Sequence, residues 1–303
     1  DDFAAYKTAA VSYEDELYGV PFDSGVAALF YRTDYLSEIG YTEEDMQDLT
    51  WEEYLSLGEQ LKTKGHMLQT YNPNDIAEFQ IMLQSAGKWF TNEKGEADFI
   101  DNAALEECYS IFKQLNEADY TKVVSDWTEF AGAINSGEVA CVLRGCWMTS
   151  TLMAEESQSG KWALAPIPKM NAEGATHYSN QGGSSWFVLN DSPNSEIAAD
   201  FLAKTFGSST ELYNTLLKEK SIIGTFLPAT DVEAYEETSE FFSNQQVNKL
   251  LGDWMTKIPA VDTGAFSAEA QNSLVSVTPA ILEGGDLAEN LATAEEQFKQ
   301  SIQ

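Results

Sequence analysis

Three short stretches of this chain are apolar at almost every position: Val139 to Leu143, Trp162 to Ile167 and Ser184 to Leu189. A strand that is apolar at successive positions is covered on both faces, so such strands demand packed layers on either side of a sheet. The covering material is legible in the same chain. Thr50 with Glu53 forms a capping-box pattern that opens a helix with Trp51, Tyr54, Leu55 and Leu61 on one face. A second helix follows Asp101, with Leu105, Cys108, Tyr109, Phe112 and Leu115 at helical spacing, and a third begins near Asn74 or Asp75 and runs through Phe79 to Leu83. Ser192-Pro193 starts a further helix with Ile197, Phe201 and Leu202 inward, and the chain from Ala234 is mostly helical in pattern, with Gly284 and Gly285 stopping one helix before the last. Strands and helices alternate, which defines an α/β chain. At 303 residues, about twice the ~150-residue domain norm, two packed units are the expectation.

Composition removes several function classes. Against 17 Lys and Arg stand 49 Asp and Glu, a formal charge of -32, and such a field repels nucleic-acid phosphates and anionic membranes. No apolar run approaches the ~20 residues of a bilayer span. Three cysteines, Cys108, Cys141 and Cys146, are too few for a disulfide framework and lack zinc spacing, so they read as buried thiols. His66 and His177 sit in polar stretches and read as surface residues. Nucleophile-elbow, Walker A, G-x-G-x-x-G, H-E-x-x-H and calcium-loop patterns are all absent, so no catalytic centre, cofactor or metal site is expected.

The residues that stand out are aromatic and sit beside glycine. Trp147 follows Gly145 and Cys146 directly after the Val139 to Leu143 strand, and Trp186 follows Gly182 and Gly183. Strand ends are where open α/β sheets place ligands, and an indole there offers a flat apolar face to the C-H side of a sugar ring. Packing alone would account equally well for either indole. Trp51, Trp162 and Trp254 read as packing residues. The segment from Leu17 to Tyr31 reads as strand, break, strand, with the break at Asp23, Ser24 and Gly25.

Six segments in order resemble the extracellular solute-binding proteins of ABC importers, in the maltose- and oligosaccharide-binding branch. They are Tyr18-Gly19-Val20-Pro21-Phe22-Asp23-Ser24-Gly25 with Leu29 to Arg32; Thr50-Trp51-Glu52-Glu53-Tyr54; Ser136-Gly137-Glu138-Val139-Ala140; and Gly145-Cys146-Trp147-Met148. Gln181-Gly182-Gly183, leading to Asp191-Ser192-Pro193-Asn194, and Phe226-Leu227-Pro228-Ala229 complete the set. The resemblance implies a type II periplasmic-binding-protein-like α/β fold, two lobes joined by three crossings, and a sugar or oligosaccharide bound between them. It implies lobes made of 1–26 with 183–227 and of 27–182 with 228–303. The family's first lobe begins well ahead of the Tyr18 segment, so the first lobe here is expected to be incomplete, with an uncovered apolar face on 183–227.

The resemblance further implies ligand contacts at Asp23, Asp75, Trp147, Gly183 and Trp186, with Trp127 and Phe266 as additional aromatic candidates. Carboxylates accept paired hydrogen bonds from hydroxyls, which suits Asp23, whose place inside an apolar run favours a ligand role over that of a turn residue, and Asp75, for which a helix cap is the plainer reading. It also implies an extracellular or periplasmic location with an N-terminal lipid anchor in the complete protein, delivery to a membrane permease, a monomer, and no enzymatic activity. Two other readings stay open. One is a secreted glycoside hydrolase using a carboxylate pair; the other is a carrier of a polyamine or of phosphate, the latter needing an arginine or a glycine-rich helix start that the sequence does not offer.

Overall fold

The structure, a computed structural model, describes residues 2–14 and 16–303; Asp1 and Asp15, both within the segment 1–26 assigned to the first lobe, lie outside the described residues. Its centre is the strand Ala27–Arg32, buried at every position and flanked antiparallel by Cys141–Gly145 on one side and Trp162–Ala165 on the other. Register explains why the paired central residues of these strands are apolar. Leu29 lies opposite Leu143 and Ala165, and Phe30 opposite Val142 and Leu164. Successive side chains leave opposite faces. Ala27, Leu29 and Tyr31 accordingly enter one core, and Ala28 and Phe30 enter another. The sheet continues past Cys141–Gly145, because Ala140 and Cys141 donate to the carbonyls of Met67 and Leu68, and Gln69–Tyr71 pairs parallel with Thr121–Val123. The result is a mixed sheet with a core on each face.

The larger core is built by helices Trp51–Thr63, Ala77–Ser85, Ala103–Glu117, Ser267–Leu282 and Leu287–Ser301. The capping box is formed: Glu53 N–H donates to Thr50 Oγ1 at 3.2 Å while Thr50 N–H donates to Glu53 Oε2 at 2.8 Å. On that helix Leu57 is the buried partner of Trp51, Tyr54 and Leu61, while Leu55 is half-buried. The opposite core is covered by helices Trp127–Asn135, Met148–Met153 and Val247–Met255. The three cysteines are buried thiols, and Trp51, Trp162 and Trp254 are packing residues at 5% exposure or less.

Several expectations are corrected. The helix expected from Asn74 or Asp75 starts at Ala77, because Asn72-Pro73-Asn74 makes a turn in which Asn72 Oδ1 accepts from Asn74 N–H. His66 and His177 are half-buried rather than surface residues: His66 stacks on Tyr35 at 3.7 Å, and His177 Nδ1 lies 3.0 Å from the Ile167 carbonyl. The stretch Ser184 to Leu189 is not a strand covered on both faces. Only Ser185–Trp186 pairs, with Val20–Pro21, and Phe187 and Leu189 are exposed. The helix expected from Ser192-Pro193 runs Ser195–Lys204 and buries none of its residues, leaving Ile197 and Phe201 outward. Nothing among the described residues packs over that apolar face, so its periodicity has no core to enter.

Three segments cross side by side near the end of the central strand. Ser24 N–H donates to the Ile223 carbonyl at 2.9 Å, Thr225 N–H to Phe22, Phe22 N–H to Ser184, and Gln181 N–H to Gly25 at 2.7 Å. Contact is close enough to require glycine twice. A Cβ on Gly25 would fall 2.0 Å from the Gln181 carbonyl oxygen, and Gly183, at φ +83°, would bring one 2.6 Å from the Asp23 carbonyl oxygen.

Candidate functional site

Beside these crossings, the end of strand Cys141–Gly145 opens into a cleft of about 210 Å³. Four separate segments line it: Asn72 and Asp75 from the turn before helix Ala77–Ser85, Asp126 and Trp127 from the start of helix Trp127–Asn135, Arg144 with Trp147, and Gln181 from the second crossing. Each arrives for a local reason. Asp126 caps its helix by accepting from Glu129 N–H at 2.9 Å, which holds Trp127 at the first helical position, where it is 51% exposed. Trp147 is turned by Gly145 and anchored through Nε1, which donates to the Gln181 carbonyl at 3.1 Å. With its polar edge occupied and 40% of its surface open, the indole faces Trp127 at 5.8 Å between ring centroids and 48° between planes. The two rings make a bent aromatic wall.

The floor is charged. Arg144 is 5% exposed, and its Nη1 lies 2.5 Å from Glu78 Oε1, its Nη2 3.5 Å from Asp75 Oδ2. Its guanidinium also sits over the Phe130 ring at 4.9 Å. Burial pushes the Glu78 carboxyl above the ordinary carboxylate range, and the Arg144 charge offsets part of that rise. Asp75 keeps its other oxygen on the Ala77 N–H at 2.9 Å and is 42% exposed, so a carboxylate edge remains open to the cleft. Neutral hydroxyls suit this arrangement, since Asp75 accepts and Arg144 donates.

Asp75, Trp127 and Trp147 therefore share one cleft, and the other candidates stand elsewhere. Asp23 Oδ1 accepts from Ser184 N–H at 2.5 Å, and Gly183 touches the Asp23 backbone, so both lie within the crossing itself. Trp186 packs on Phe22 and Phe206 and lines a separate groove of about 610 Å³ with Tyr18, Val20 and Leu202. Phe266 lines another, of about 650 Å³, with Tyr13, Lys94 and Asp262. Sequence reasoning missed Asn72, Asp126, Arg144 and Gln181. Arg144 carried a usable signal, being a charge at the end of an apolar strand; the statement that the sequence offers no arginine for an anion is corrected by its place in the cleft, though Glu78 and Asp75 already hold it. Among the described residues, no group of His, Cys, Asp and Glu could hold a metal ion, and no helix is long and apolar enough to cross a membrane.

Side-by-side crossings next to an aromatic cleft at a strand end define a hinged binding protein. A family model for bacterial extracellular solute-binding proteins matches residues 1–248, and the chain belongs to that family. It is 40% identical over 302 residues to a lactose-binding protein of Rhizobium radiobacter, covering 99% of this chain and 72% of that one. Identity to an arabinooligosaccharide-binding protein of Halalkalibacterium halodurans is 23% over 287 residues, or 90% of this chain and 62% of the relative. Among solved structures, an extracellular solute-binding protein of family 1 superposes with a TM-score of 0.84 at 16% identity, covering 100% of this chain and 77% of the other. The lacto-N-biose complex of a Bifidobacterium longum ABC-transporter binding protein does so with 0.78 at 21%, covering 99% and 74%. These likenesses establish the fold as the two-lobe, type II periplasmic solute-binding architecture.

Proposed function

We propose that this chain binds a neutral sugar or short oligosaccharide in the Trp127–Trp147 cleft and delivers it to the membrane permease of an ABC importer. The observation that carries the reading is the bent indole wall standing over a carboxylate and a guanidinium at a strand end beside the crossings. Aromatic faces cover the C-H side of a ring while the polar floor meets its hydroxyls. The lactose-binding relative makes lactose the first ligand to test, followed by arabinooligosaccharides. At about 210 Å³ the cleft falls below the ~300 Å³ at which small-molecule pockets usually begin, so it grips one ring, and further units extend beyond it.

In the same reading, residues 1–26 with 183–227 form one lobe and 27–182 with 228–303 the other, and the crossings are the hinge on which they close. Asp23 and Gly183 serve that hinge, and the ligand contacts proposed for Trp186 and Phe266 are made to outer units of a longer chain. The protein works outside the cytoplasmic membrane as a monomer, held there by an N-terminal lipid, and performs no chemistry on its ligand.

Titration calorimetry with lactose, paired with tryptophan fluorescence of the exposed indoles, tests the reading. Saturable binding is expected, and Trp147→Ala should weaken it by roughly thirtyfold, about 2 kcal/mol, with the melting temperature of the unliganded protein nearly unchanged. Sugar recovered intact after incubation separates binding from hydrolysis. Release of galactose and glucose in proportion to protein, abolished by Asp75→Asn, would overturn it.

A further inference from the structure

Glu78 does not line the cleft, yet it is the closest partner of the arginine that does. A lone guanidinium on the floor of a pocket is a carboxylate or phosphate site, because its fork matches those groups with two parallel hydrogen bonds. Here one arm of the fork is already occupied. Nη1 is shared between Glu78 at 2.5 Å and the Leu143 carbonyl at 3.0 Å, while Nη2 points at Asp75 at 3.5 Å. Glu78 is itself buried, with 8% of its side chain exposed, so water screens its pairing with Arg144 very little. Arg144, Glu78 and Asp75 together hold one positive charge against two negative ones, and Asp126 adds another carboxylate to the lining. We infer that Glu78 is a specificity-determining residue that sets the charge class of the ligand: by occupying Arg144 it makes the cleft accept neutral sugars and reject acidic ones. It acts through Arg144 and is a positioning residue. The inference rests on the sugar-binding reading and adds to it the exclusion of aldonates and uronates.

Two pairs test it: lactose against lactobionate, in which the reducing-end ring is opened and its anomeric carbon oxidised to a carboxylate, and galactose against galacturonate, which keeps its ring. Affinities for each pair are measured by calorimetry in wild type and in Glu78→Gln, which keeps an oxygen to accept from Arg144 but removes the charge. The wild type is expected to bind each acid less tightly than its neutral partner. In Glu78→Gln the gap should narrow by at least tenfold, about 1.4 kcal/mol, for at least one pair. A merely structural role for Glu78 would lower both affinities of a pair together and leave their ratio unmoved. If Glu78→Gln fails to fold, Asp75→Asn on the half-exposed side of Arg144 removes a charge from the same fork. It should narrow the gap by roughly threefold, the smaller effect reflecting solvent screening. An unchanged ratio in the folded variants, or a wild type that binds acids as tightly as neutral sugars, overturns the inference and leaves sugar binding intact. A wild type that binds none of the four sugars overturns the sugar reading and this inference with it.

Discussion

Helix Ala103–Glu117 and helix Ser195–Lys204 are written in the same pattern and meet opposite fates. The first carries Leu105, Cys108, Phe112 and Leu115 at helical spacing, each at 1% exposure or less. The second carries Ile197, Phe201 and Leu202 at the same kind of spacing, and none of its residues is buried; Ile197 is 72% and Phe201 58% exposed. Their surroundings differ. Helices Trp51–Thr63, Ala77–Ser85 and Ser267–Leu282 pack against the first over one face of the central sheet, whereas the second lies beside the two-residue pairing of Val20–Pro21 with Ser185–Trp186. Their starts differ too. Asn102 Oδ1 accepts from Leu105 N–H at 3.1 Å, while Asn194 makes no side-chain cap bond. Amphipathic spacing states that a face needs a cover, and the cover is a property of whatever lies across from it.

Four substitutions press on this contrast. The largest effect is expected for Phe112→Ala, about 3–5 kcal/mol of stability by urea denaturation, because a ring at 1% exposure leaves a cavity that its neighbours refill only in part. A cost below 1 kcal/mol would break the comparison by showing the two faces to be alike. Asn102→Ala should cost about 1 kcal/mol through loss of its cap, and Asn194→Ala far less. Comparable losses at the two asparagines would mean that the caps do not distinguish the helices. The smallest effect belongs to Ile197→Ser, expected within about 0.5 kcal/mol of wild type, since the side chain is already 72% exposed. Amide exchange sharpens the same point: amides of Ser195–Lys204 should exchange at a lower opening free energy than those of Ala103–Glu117.

The cleft was partly legible for a related reason. Trp147 is found by local logic, a glycine and an indole directly after a buried strand, and the capping box at Thr50 and Glu53 is equally local, spanning four residues. Asn72, Asp126, Arg144 and Gln181 are brought together from four parts of the chain by the parallel pairing of Gln69–Tyr71 with Thr121–Val123, the strand Cys141–Gly145 and the second crossing. No spacing in the chain records that meeting. The candidates Trp186 and Phe266 illustrate the converse, since each is an exposed aromatic beside a glycine-bearing loop, yet each lines a groove different from that of Trp147.

Alternation with a period of two residues places the adjacent Leu29 and Phe30 on opposite faces of a strand, and because both are apolar, both faces need a cover. That much is determined by covalent geometry, because neighbouring side chains on an extended backbone cannot share a side. Which helices supply each cover, why Ile197 has none, and how Arg144 comes to sit between Glu78 and Asp75 were decided by tertiary structure. Apolar burial is non-directional and charge pairing acts through space, so both select partners by proximity in the fold, and proximity across 60 or more residues is not written in any local pattern.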